Sequence, residues 1–158
     1  MMNNLFGGKS LAGDGCKLWL AICSLMLVSS CSSGSPGLNS YTQAVGAADE
    51  GAAIQTIRTI ATAQEQYRAT HGDYGSFDTL TKAGILDARF ASDAPTLRGY
   101  RFTMNQDSSS FTINADPQAT ANQPAIGSHH YYFDSKDGIT RANSKQTASA
   151  SDPPQQQQ

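Results

Sequence analysis

The chain has 158 residues, 39 % of them hydrophobic and 15 % charged, with a formal net charge of −2. That length holds one domain with its ends rather than two full domains. The charge balance excludes a nucleic-acid binder that relies on a basic face against the phosphate backbone, so no nucleic-acid partner is expected.

At the amino end, Lys9 and Lys17 precede "LWLAICSLMLV", Leu18 to Val28. Eleven apolar residues are too few for a spanning helix, which needs about 20. They suit the apolar core of an export signal, with positive charge before it and small residues after it. The next residues, Val28-Ser29-Ser30-Cys31, resemble the lipobox of bacterial lipoproteins. The resemblance implies that residues 1–30 are a signal peptide and that the Cys31 thiol carries a diacylglycerol. Acyl chains contribute about 0.8 kcal/mol per buried methylene, so two or three of them anchor a protein stably. The other cysteines, Cys16 and Cys23, lie in the removed segment, which leaves no disulfide or cysteine zinc site in the mature chain. Residues 31–40 then form a lipidated cysteine and a Ser/Gly/Pro tether.

A single domain is expected over residues 41–142. Ser40 and Gln43 have capping-box spacing, and Asp49 or Glu50 offers a later start. Ile54, Ile57, Ala61, Gln64 and Tyr67 make an apolar stripe with Ile60 beside it, which predicts a helix of about 31 residues ending at Gly72. At roughly 46 Å it outruns a compact domain, so part of it should protrude. Ser76 caps a short helix, Phe77 to Ala83, stopped by Gly84. The period then changes to two. Tyr100, Phe102 and Met104 share one strand face, and so do Phe111, Ile113 and Ala115, with "QDSSS" as the turn between them. "HHYYFD" and "GITRAN" flank "SKDG", a second hairpin with Gly138 at a site of positive φ. A polar loop joins the hairpins. The tail 143–158 has almost no apolar residue and is read as disordered. The fold class is α+β: a long helix covering a small antiparallel sheet of about four strands.

The order "IRTIATAQEQYRATHGDYGSFDTL", "AGILD", "GYRFTM", "FTINADP" and "YYFDSKDGITRA" resembles the soluble head of type IV pilin-like proteins, specifically the major pseudopilin of type II secretion. The resemblance covers about residues 48–142. Pilins begin with a run of about 20 apolar residues that carries a glutamate near its start and forms the filament core. Here the apolar run is half as long, lacks that glutamate and ends in the lipobox.

Asp116, Asp134 and Asp137 are the best oxygen cluster and stand as calcium candidates, a role the resemblance implies for a loop near the end of the sheet. Asp and Gly are equally the residues of an ordinary hairpin turn, and that reading is preferred. His129 and His130 are adjacent, so on a strand they point to opposite faces and do not share a metal. No nucleophile motif, zinc-protease motif or phosphate cradle occurs, so no enzymatic activity and no other cofactor are expected. The expected role is a non-catalytic, lipid-anchored envelope module, accessory to a type IV pilus or type II secretion assembly. Ser32 after the cysteine, where enteric lipoproteins held at the inner membrane have Asp, favours the outer membrane. The alternatives are a minor pseudopilin-like filament subunit that keeps its apolar segment, and a calcium- or small-ligand-binding surface protein.

Overall fold

The computed structural model describes residues 38–119 and 127–155, with side chains from residue 41. Leu18–Val28, Cys31 and most of the tether lie outside the described residues. Among those described, no helix is long and apolar enough to cross a membrane.

Helix α1 spans Leu38–His71, 34 residues and about 51 Å. It takes in the last three residues assigned to the tether. Tyr41 to Ala44 are exposed, so the first turns do stand clear of the sheet. Farther along, Ala53, Ile57, Ile60 and Ala63 are buried, which centres the buried face on Ile60 rather than on Ala61. Gly72 N–H closes the helix by donating to the Arg68 carbonyl at 2.8 Å. Helix α2, Phe77–Lys82, starts where its cap predicts: Ser76 Oγ accepts from Thr79 N–H at 3.2 Å. A 3-10 turn over Ala88–Phe90 follows, capped by Asp87.

The sheet has five antiparallel strands in sequential order, not about four: β1 Thr96–Leu97, β2 Tyr100–Gln106, β3 Phe111–Pro117, β4 His130–Asp134 and β5 Ile139–Asn143. The unexpected strand, β1, has two residues, too few to carry any alternation. Its turn holds Arg98 at φ 47° and Gly99 at φ 75°, the two consecutive positive φ values of a tight hairpin. The β2–β3 turn is built on Asp107, which accepts from the Ser109 hydroxyl and the N–H groups of Ser109 and Ser110. Those bonds hold its carboxyl down at about 2. Gly138 takes φ 69° in the β4–β5 turn, as the residue pattern requires.

The core lies between α1 and one face of the sheet. Ile57 and Ile60 meet the layer of Tyr100, Phe102, Phe111 and Ile113, all essentially without exposure, and Leu80 and Phe90 close one end. Each such side chain contributes about 1.5–3 kcal/mol of burial. Gln64, the polar member of the expected stripe, is fully buried; its amide donates to Gly75 O at 2.6 Å and accepts from Gly75 N–H at 2.9 Å.

The tail is not disordered over its described part. From Asn143 it forms a strap that buries Ala148 and returns along the free edge of β5. Ala142 N–H donates to Pro153 O at 3.2 Å, Gln155 N–H donates to Thr140 O at 2.8 Å, and Asn114 Nδ2 ties down Ala148 O at 2.9 Å. Polar composition conceals this order because side-chain and backbone hydrogen bonds, rather than apolar burial, hold most of the strap.

Candidate functional site

Where α1 passes the start of β4, the chain brings Glu50, Ser128 and His129 together. Glu50 sits mid-helix, with its side chain only 19 % exposed, and does not cap anything. Its Oε1 accepts from Ser128 N–H at 2.7 Å and from the Ser128 hydroxyl at 2.8 Å, and lies 3.1 Å from His129 Nδ1. Burial disfavours the carboxylate charge, but the Ser128 and His129 bonds outweigh that and hold Glu50 below its ordinary 4.5. Glu50 is therefore ionised at neutral pH. The Ser128 hydroxyl also lies 3.1 Å from the same His129 nitrogen that faces Glu50. The three groups thus bond around one imidazole nitrogen, and none is arranged as a base relay to a nucleophile.

Beneath this cluster, Tyr100 donates from its hydroxyl to His129 O at 3.1 Å, and burial pushes the Tyr100 and Tyr131 hydroxyls well above their ordinary value. Gly127 lies so close that a Cβ there would stand 1.9 Å from the Tyr100 hydroxyl oxygen. One residue along α1, Asp49 is buried and faces Arg98 at 3.5 Å. Beside the cluster is an open groove of about 590 Å³, lined by Glu50, His129 and Tyr131 together with the strap residues Pro153 and Pro154.

The three calcium candidates do not converge. Asp116 stands opposite Arg101 and lies 2.5 Å from His130 Nδ1, while Asp134 stands opposite Thr112, four residues away along β3. That spacing is about 14 Å. Asp134 Oδ1 accepts from Lys136 N–H at 2.9 Å, and Asp137 takes Ile139 N–H and the Arg141 guanidinium. Among the described residues, no group of three or more His, Cys, Asp or Glu side chains could hold a metal ion. The adjacent histidines do part to opposite sides, His129 to the helix and His130 to β3. Sequence reasoning missed Glu50 and Ser128. Their only local signal was a carboxylate one position past a charged neighbour in a helix that otherwise reads as solvated there.

The pilin-like order of elements has a counterpart among known families. Residues 39–128, more than half the chain, match the family described as "Type IV minor pilin ComP, DNA uptake sequence receptor". The chain belongs to this family. No curated protein and no solved structure showed a match to the chain. ComP-family membership makes the head a type IV pilus-related pilin module, associated with the cell envelope and of a structural and binding class rather than an enzyme class. The resemblance to pseudopilins is thus refined to a type IV minor pilin. The ComP match runs from α1 to Ser128; β4, β5 and the strap lie beyond it.

Proposed function

We propose that the chain is a lipid-anchored minor-pilin module, a non-catalytic accessory of a type IV pilus or related type II secretion assembly. In this reading residues 1–30 are removed, Cys31 carries the lipid, the residues before Leu38 are the tether, and the pilin head carries the contacts. The observation that carries it is the pairing of a minor-pilin head with Val28-Ser29-Ser30-Cys31 behind an apolar run half the length of a pilin stem. The test is the intact mass of the protein extracted from bacterial membranes, beside a Cys31→Ala variant. The expected mass is residues 31–158 plus acyl groups, lost in the variant. A mass that retains Leu18–Val28 in both proteins overturns the anchor and makes the chain a filament subunit.

A second reading is DNA capture, favoured by the family's description as a DNA uptake sequence receptor. It narrows the exclusion drawn from charge. Lys9, Lys17 and Asp14 precede residue 38, which leaves nine Lys and Arg against twelve Asp and Glu in residues 38–158. A head so balanced would recognise DNA through base edges more than through phosphates. Anisotropy titration of the head with labelled duplexes checks this reading, with sequence-independent or absent binding as the adverse result.

A further inference from the structure

The groove beside Glu50 holds an ionised carboxylate. Among the described residues no lysine or arginine lines it, and His129 counterbalances Glu50 only when protonated. The apolar part of its lining comes from Ala47 and Ile54 on α1, Ala142 on β5 and Pro153 and Pro154 on the strap, with Ser144 and Gln155 as further polar groups. A cation with an aliphatic stem matches that arrangement, its methylenes against the walls and its head at the carboxylate. Enclosed small-molecule sites surround their ligand with several convergent polar groups. This groove is open and offers one charged group, which suits a side chain presented by another protein.

We propose that the groove receives a lysine or arginine side chain of a partner protein, with Glu50 as its counter-charge. Gly51 bears directly on this. Gly51 lines the groove, and a Cβ there would meet nothing within 4 Å. Glycine inside a helix lowers its stability, and any larger residue here would both strengthen the helix and fill the groove. The inference is independent of the lipid anchor and of DNA capture, because it concerns a face of the head alone.

The test uses the full chain with two probes, N-acetyl-lysine methylamide and its uncharged counterpart N-acetyl-norleucine methylamide, read by amide NMR shifts at Ser128, Tyr131 and Ala142. The lysine probe should give saturable shifts with a millimolar dissociation constant. The norleucine probe should bind at least several-fold more weakly. Glu50→Gln should abolish the preference for the cation. Gly51→Leu should abolish binding while raising the melting temperature, an outcome that misfolding cannot mimic. Equal binding of the two probes, shifts that grow only linearly with either, or undiminished binding in Gly51→Leu overturns the proposal.

Discussion

At the residue scale, two side chains of α1 that read alike in sequence behave differently. Asp49 is buried and faces the exposed Arg98 guanidinium, whereas Glu50 is bound by a backbone N–H, a hydroxyl and an imidazole. The Glu50 carboxyl is depressed in the folded state, so the folded protein binds fewer protons there than the unfolded chain. Its contribution to stability is present above about pH 4.5, the unfolded value, and is lost as pH falls through the lower folded value. The groups facing it are Asp49 on its own helix, His129 and Tyr131 on the β4 side, and Tyr100 on β2. Glu50→Gln should therefore be less stable than the parent above about pH 5, and the gap should close towards pH 3. Chemical denaturation of both proteins across that range checks it; a gap independent of pH refutes the assignment. Gly127 gives a second residue-scale outcome. Tyr100 is fully buried and cannot swing away, so Gly127→Ala should cost about 1–3 kcal/mol, read as a lower denaturation midpoint.

At the element scale, the strap decides how the sheet ends. β5 would otherwise expose Thr140 O and Ala142 N–H, a template for pairing with another chain. The strap occupies both groups and presents Pro154 opposite Arg141. Proline cannot donate to a further strand, so pairing stops there. Asp152 locks the return by accepting from Asn143 Nδ2 at 2.8 Å and from Ser149 N–H at 2.7 Å. Deleting residues 144–158 should lower stability by a few kcal/mol, at about 1 kcal/mol per hydrogen bond lost, and should cause concentration-dependent self-association. Sedimentation of the truncated chain measures this. An unchanged monomer of unchanged stability would show that the strap guards nothing.

At the scale of the whole molecule, charge is dispersed. Among the described residues, the side chains of Arg58, Arg68, Arg101, Lys136 and Lys145 enter none of the six ion pairs, and they lie on α1, β2, the β4–β5 turn and the strap. Lys136 and Lys145 flank opposite ends of β5. These five are spread over four elements rather than gathered on one. Any DNA binding by the head should thus depend only shallowly on salt, with a log–log slope smaller than about 3 in magnitude. A steeper slope would mean that a basic surface forms in the complex.

The sequence by itself determined the long helix, the capped short helix, both main hairpins and the class α+β. Each rests on signals within a window of a few residues: the Ile57–Ile60 spacing, Ser76 before Phe77, the alternation in Tyr100–Phe102, and Gly138 in its turn. The proposed lipid anchor at Cys31 rests on the same kind of local window, Val28-Ser29-Ser30-Cys31. Tertiary structure decided the remainder. Strand β1 exists because Leu97 meets Tyr100 across a tight turn, not because two residues show a period. The strap is ordered because Asn114, Thr140 and Ala142 wait for it on the sheet. Glu50 becomes the centre of a site only when Ser128, 78 residues away, is brought to it. Hydrogen bonds across such separations leave no periodic trace in the chain, because their partners are chosen by the packing of α1 on the sheet rather than by neighbouring residues.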